Sequence, residues 1–432
     1  MTALLLASLL LAAPASAAPP PRWTPEDYVR AVLASAPELE RSRAEDAAAR
    51  ARLRAAWADA ALPRLSFSAK AYPYGHNPSD ADAFRRWGLA HDQVALASSL
   101  NWNIIDLTDE FKVREARLAR DGAQSSLATT LQERSLEALK TYFGLWFRRR
   151  TLEVQRGNLA MQEEQYALTQ DLYKHGMKSY ADLLKSETDL LSARLRTAAA
   201  EAGARRGLLD FDTLLRAEPD APAELLSEFT PPVAPSAELS ADLRTALARR
   251  SELAGARAAL EKAVQRRRRA IVEAFPSLSL DAQWQRSDPA SFGGRYAAAP
   301  PNPRYRLALE LALPSGFNFV SQEAAAAVAA AERRSAAAGL DERERLVRAG
   351  VVTARIELER SLAVLAVAER KTQISKESLD LVTEQYQQGR ADIIRLGQAQ
   401  LDSLNAQTER AQALHDAMVS QAEYRFATGE PL

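Results

Sequence analysis

The side chains able to do chemistry in this 432-residue chain are numerous but ungrouped. There is no cysteine, which removes thiolate metal sites, thiol nucleophiles and a lipid-bearing cysteine. The four histidines (His76, His91, His175, His415) have no ligand spacing. Neither a nucleophile elbow nor a phosphate-binding loop is present in the sequence. Carboxylates abound, but three or four residues from Arg or Lys, the spacing of ion pairs on a helix surface. The sequence therefore predicts no enzyme, no metal site and no cofactor. With 56 basic and 56 acidic residues, it also predicts no nucleic-acid partner. One pattern stands out because it occurs twice: Tyr173-x-x-Gly176-x-x-Ser179-x-x-Asp182, and Tyr386-x-x-Gly389-x-x-Asp392. A glycine where a helix must reverse suits a left-handed C-cap. The tyrosines and aspartates are more than a bare turn requires.

Long helices must carry these turns. Helical patterning runs over about 108–175 and 179–216, and again over 320–388 and from there to near 428. Shorter helices precede each pair, at about 37–61 in the first half and at 239–250 and 251–274 in the second; Pro63 and Pro276 close them. At 1.5 Å per residue the helices over 108–175 and 320–388 measure about 100 Å each, far beyond the usual three or four turns. Between the helices lie four stretches of period two, at about 65–74, 92–102, 277–286 and 304–313. The cleanest, Tyr305 to Leu313, is large and apolar at every odd position, as in a strand with one apolar face.

The halves repeat. Pro63 with Pro276, Glu110 with Glu323, Tyr173 with Tyr386, Gly176 with Gly389 and Phe211 with Tyr424 all stand 213 positions apart. Near the start the offset is 214 (Leu33 with Leu247). A fixed offset through strands, loops and helices marks an internal duplication. The expected organisation is a signal peptide over 1–17, a first repeat over 18–216, a proline-rich connector over 217–237 and a second repeat over 238–432. The leader has a short apolar core and the cleavage pattern Ala15-Ser16-Ala17. No Lys or Arg precedes that core, which points to a start further upstream.

Beyond the leader no apolar run is long enough for a membrane helix, so a membrane location would rest on strands. Nine alternating residues suffice for a tilted strand to cross. Four strands cannot close a barrel, and bacterial barrels begin at eight. The chain must then assemble; two copies supply eight strands and three supply twelve, and the residues alone leave that choice open.

These features resemble the outer-membrane efflux channel (TolC) family over essentially the whole mature chain. The residues that carry the resemblance are Leu62-Pro63-Arg64-Leu65-Ser66, its echo Phe275-Pro276-Ser277-Leu278-Ser279, and the two turn motifs. The resemblance implies a mainly α chain with a transmembrane β-barrel portion: a long α-helical tunnel and a twelve-stranded barrel built by a homotrimer in the outer membrane of a Gram-negative bacterium. It implies a passive exit duct for an inner-membrane pump or the ABC transporter of a type I secretion system, joined through a periplasmic adaptor. The turns become the adaptor-docking tip (Tyr173, Gly176, Ser179, Asp182, Tyr386, Gly389, Asp392), and Asp182, Lys185, Asp392, Arg395 and Gln398 become constriction candidates. Family members often place acidic residues where Arg395 and Gln398 stand, so cation-sensitive gating is not carried over.

Other expectations concern single residues. Arg395 pairs with Asp182 or Asp392; Arg266 to Arg269 form a solvated segment; Arg148 to Arg150 mark a local surface feature; Tyr72, Tyr74, Trp102 and Trp284 lie near strand ends. The chief alternative is a soluble periplasmic coiled-coil adaptor, which would need neither the duplication nor isolated two-faced strands. The cargo is not encoded in any motif.

Overall fold

The computed structural model describes residues 22–72, 92–218, 224–225, 229, 232–235, 238–290, 302–312, 319–388 and 390–432. The leader, the loop 73–91 with Tyr74, His76 and His91, most of the connector, Leu313 and Gly389 lie outside them. In chain order the elements are β1 (Arg22–Trp23), α1 (Pro25–Ser35), α2 (Pro37–Ala61), β2 (Arg64–Tyr72), β3 (Asp92–Ile105), α3 (Leu107–Lys174), α4 (Tyr180–Leu215) and β4 (Glu224–Leu225). The second half follows with α5 (Leu239–Arg249), α6 (Ser251–Val272), β5 (Ser277–Ala290), β6 (Asn302–Ala312), α7 (Phe319–Gln387) and α8 (Ile393–Thr428). The chain is mainly helical, as expected, and α8 begins and ends 213 positions after α4. Among the described residues no helix is long and apolar enough to cross a membrane.

The ends of α4 and α8 show what duplication preserved. Arg216 follows α4 in the left-handed region (φ 58°), its N–H donating to Thr213 O while Ala217 N–H donates to Asp212 O. Its equivalent after α8 is Gly429 (φ 75°), whose N–H donates to Phe426 O as Glu430 N–H donates to Arg425 O. Both are C-caps of the Schellman type, but only the second uses the residue without a Cβ penalty. Arg216→Gly is therefore expected to stabilise the protein by about 1 kcal/mol, read as a higher midpoint of thermal unfolding. An unchanged or lower midpoint would mean the arginine is not strained there.

The chain forms two compact units. One comprises Glu38–Thr130 and Leu247–Arg348. It holds an antiparallel sheet in the order β2-β3-β5-β6. The register sets like against like: Leu65 faces Leu100, Trp102 faces Leu280, Leu278 faces Leu311, Leu280 faces Leu309, and Trp284 faces Tyr305. Side chains alternate across a sheet, so these residues share one apolar face. The other face is polar: the Ser66 and Ser99 hydroxyls lie 2.7 Å apart, and Asn101 Nδ2 donates to Asp281 Oδ1 at 2.8 Å. Among the described residues β2 and β6 each have a single neighbour, so both sheet edges are open. In the same unit Arg266, Arg267 and Arg268 are exposed, as the expected solvated segment has them, and Arg269 is half-buried, but Arg266 and Arg269 are also engaged. They reach the buried carboxylate of Glu115 at 3.6 and 3.1 Å, because a buried anion needs compensating cations. Just after β3, burial opposes ionisation of Asp106, but the Thr108 hydroxyl and N–H and the Lys112 ammonium outweigh it and lower its pKa.

The other unit comprises the chain up to Pro37, Leu131–Ala246 and Ala349–Leu432. Its core is aromatic. Tyr28 of α1 stacks on Phe211 of α4 with ring centroids 4.0 Å apart, and Trp23, Tyr142 and Phe143 complete the cluster. The Tyr28 hydroxyl donates to Phe211 O at 3.0 Å, and the Tyr142 hydroxyl donates to Trp23 O at 2.8 Å. Burial raises the Tyr28 pKa far above that of an ordinary phenol, with Asp212 and Glu137 adding to it, so this hydroxyl stays a donor. The connector is not wholly irregular, since β4 pairs in parallel with β1, and Arg22 reaches Glu224 at 3.1 Å. Of the three expected surface arginines, Arg148 and Arg150 pair with Asp210 and Glu153, whereas Arg149 is half-buried. Burial lowers the Arg149 pKa, against the pull of Asp212 and Tyr142.

Candidate functional site

The turn from α3 to α4 is set by backbone chemistry. Gly176 is left-handed (φ 73°); its N–H donates to Tyr173 O and Met177 N–H donates to Leu172 O, closing the α3 terminus. Ser179 then starts α4 with a capping box: its hydroxyl accepts from Asp182 N–H at 3.1 Å, and the Asp182 carboxylate accepts from Ser179 N–H at 3.1 Å. Hydrogen bonds from the Ser179 hydroxyl and N–H lower the Asp182 pKa, opposed by slight burial and helped by Lys178. A carboxylate with a depressed folded pKa stabilises at pH above its unfolded value, and that contribution is lost as pH falls through the folded pKa. The cap is thus fully present near neutrality and expected to fail only in acid below about pH 4. Ser179→Ala should cost about 1 kcal/mol at pH 7 and remove that acid dependence, measured by amide exchange over residues 180–186. Equal exchange in both proteins at pH 7 would show the cap to be idle.

The turn from α7 to α8 solves the same problem differently. Arg390 N–H donates to Gln385 O, and Asp392 caps α8 by accepting from Arg395 N–H at 2.8 Å. The aspartates that looked surplus to a turn, Asp182 and Asp392, are thus helix caps. Arg395 also differs from expectation: its backbone, not its guanidinium, meets Asp392. Among the described residues that exposed guanidinium makes no ion pair, and Asp182 is engaged by Ser179 instead. Lys185 pairs with Asp189, and Gln398 Nε2 donates to Asp402 Oδ1 at 2.9 Å.

The structure brings the two turns together through residues outside the motif. Lys178 places its ammonium 4.8 Å from the centre of the Tyr386 ring, and Gln165 Nε2 donates to the Tyr386 hydroxyl at 3.3 Å. Tyr386 is buried with Val382, Ile393, Leu396 and Ala399. Its repeat counterpart Tyr173 is exposed and lies beside Tyr180, ring centroids 5.9 Å apart. Two tyrosines in one motif position therefore have opposite environments. Nothing local in the sequence marks Gln165 or Lys178, since their partners lie more than 200 positions away. Among the described residues no group of His, Asp and Glu is arranged as metal ligands would be.

Residues 28–214 match the family described as outer membrane efflux protein. No curated protein matches the chain in sequence. Solved structures share its fold over 94% of its length. The outer-membrane channel OprN aligns with TM-score 0.74 at 19% identity over 90% of that chain. The CmeC outer membrane channel of Campylobacter jejuni aligns with TM-score 0.76 at 16% identity over 85% of its chain, and the outer membrane protein VceC of Vibrio cholerae with TM-score 0.74 at 17% over 96%. A four-stranded sheet with one apolar face, joined to two very long helical hairpins, is the fold of outer-membrane channels. Over that matched segment the chain is similar to the outer membrane efflux protein family, and its fold is that of outer-membrane channels of known structure.

Proposed function

We propose that three copies of this chain close their sheets into a twelve-stranded barrel in the outer membrane of a Gram-negative bacterium, with the helices forming a tunnel through the periplasm. The assembly is a passive exit duct, not an enzyme. It receives cargo from an inner-membrane pump or an ABC secretion transporter through a periplasmic adaptor that docks at the two helix turns, around Tyr173, Gly176, Ser179 and Asp182 and their counterparts Tyr386, Gly389 and Asp392. Residues 1–17 are its leader, and 18–216 and 238–432 its two repeats about the connector 217–237. The observation that carries this reading is the sheet, apolar on one face and open at both edges. Water favours neither feature, whereas a closed barrel in lipid uses both. A soluble adaptor has no use for either.

The test is reconstitution. Protein extracted from outer membranes with detergent should migrate as a compact trimer and conduct ions in planar bilayers. Its deletion should sensitise cells to some member of a panel of drugs, metal ions and detergents, or abolish a secreted protein. A water-soluble monomer would end the proposal. Within it, Arg395 holds the closed tip only by meeting a neighbouring copy, since Asp392 and Asp182 are engaged within the chain; unchanged conductance and antibiotic uptake in Arg395→Ala would remove that role.

A further inference from the structure

The polar face of the sheet changes sign along its strands. On β6 it carries Arg304, Arg306, Ala308 and Glu310, and on β5 Ser279, Asp281, Gln283 and Gln285. The register sets Glu310 opposite Ser279, Ala308 opposite Asp281, Arg306 opposite Gln283 and Arg304 opposite Gln285. Across β3 and β2 the row of Arg306 continues as Ser99 and Ser66, and that of Arg304 as Ala97 and Ser68. Carboxylates thus occupy the rows next to the helices, and guanidinium groups the two rows beyond, where no acid stands.

Neither arginine is neutralised. Both are exposed, and among the described residues neither makes an ion pair or a side-chain hydrogen bond. Cross-strand pairing favours an acid opposite a base, yet each arginine faces a glutamine, which offers an amide oxygen and no charge. Asp281 lies diagonal to Arg306 and is already engaged, accepting from Asn101 Nδ2 at 2.8 Å.

In a closed barrel the apolar face meets lipid and the polar face lines the lumen. Twelve strands at about 4.8 Å spacing and about 40° tilt put the backbone about 12 Å from the axis. Arginines reaching inward from that wall hold their charge within a Debye length of the axis, about 10 Å in 0.1 M salt. Each copy adds the same two arginines, at levels about 7 Å apart. Rings of Arg or Lys of this kind select anions in pores.

We propose that Arg304 and Arg306 form a cationic collar inside the barrel, on the side away from the helices, that gathers and passes anions. Chloride is the simplest of these; among larger solutes the collar favours those bearing phosphate, sulfate or carboxylate groups. The inference rests on the closed barrel proposed above, and adds a charge preference that the neutral overall composition conceals.

Ion selectivity in planar bilayers tests it. Under a KCl gradient of about tenfold, at or below about 0.1 M, the chloride-to-potassium permeability ratio should fall about threefold in Arg304→Gln with Arg306→Gln. Arg304→Lys with Arg306→Lys should keep the wild-type ratio, because the charge is retained. In about 1 M KCl, where the Debye length is about 3 Å, wild type and the glutamine variant should converge. Each single glutamine substitution, with a smaller expected fall, carries the test if the pair does not assemble. An unchanged ratio in glutamine variants that assemble and conduct overturns the collar and leaves the channel reading standing, as does an equal fall in the lysine variant. A water-soluble chain that never conducts overturns both.

Discussion

Leu307→Arg is expected to remove the protein from the outer membrane, while Ala308→Arg one position along leaves it there. Both sit in the middle of β6, where Leu307 pairs with Ala282 and Ala308 with Asp281. Leu307 is 74% exposed on the apolar face, and Arg306 already occupies the polar one. An arginine facing lipid near the midplane of a barrel costs about 2–4 kcal/mol. Three copies would each bear that cost in one cooperative assembly, against a typical net stability of about 5–15 kcal/mol. On the polar face the same side chain gains Asp281 as a neighbour. The measurement is the amount of detergent-extractable oligomer in outer-membrane fractions for each variant. Equal amounts for the two would mean the apolar face does not meet lipid, and the barrel would have to be abandoned.

How much of this was legible beforehand depended on whether the signal was local. The four strands of the sheet were readable because period two in Leu278-Ser279-Leu280 or Leu307-Ala308-Leu309 states which face each residue takes. Helix ends were readable because the duplication reports each boundary twice, as α4 and α8 show. What the sequence hid were contacts made at long range. The two-residue β1–β4 pair has no propensity behind it; it exists through Arg22 with Glu224 and through Tyr142 reaching Trp23 O. The opposite burial of Tyr173 and Tyr386 depends on Gln165 and Lys178, which no motif announces. At the turns the structure changes the role of two residues. Asp182 and Asp392 look like surplus chemistry in a sequence, but the first turn of a helix has orphan N–H groups that such residues satisfy. Once Asp392 is spent on the Arg395 N–H and Asp182 on Ser179, the expected ion pair of Arg395 has no partner left at these turns.

That distinction between local pattern and long-range packing also decides where the chain is most vulnerable in water. Phe211→Ala is expected to destabilise the protein by about 3–5 kcal/mol, the cost of emptying a fully buried aromatic site. Phe211 has no exposed surface, stacks on Tyr28 at 4.0 Å and 17°, and meets the edge of Trp23 at 6.1 Å. Its carbonyl, which accepts from the Tyr28 hydroxyl, survives the substitution, so the loss is one of packing. Tyr28→Phe separates the two contributions: it keeps the stack and removes only that hydrogen bond, for about 1 kcal/mol. The two variants should differ in reach as well as size. Emptying the Phe211 site loosens Trp23 and with it β1, leaving only Arg22 on Glu224 and the Tyr142 hydroxyl on Trp23 O to hold it. Amide exchange at residues 22–29 and 224–225 should therefore accelerate in Phe211→Ala and change little in Tyr28→Phe. If both variants lost less than about 1 kcal/mol, the aromatic cluster would be filling space that neighbouring side chains can collapse into, and would not be what anchors the connector.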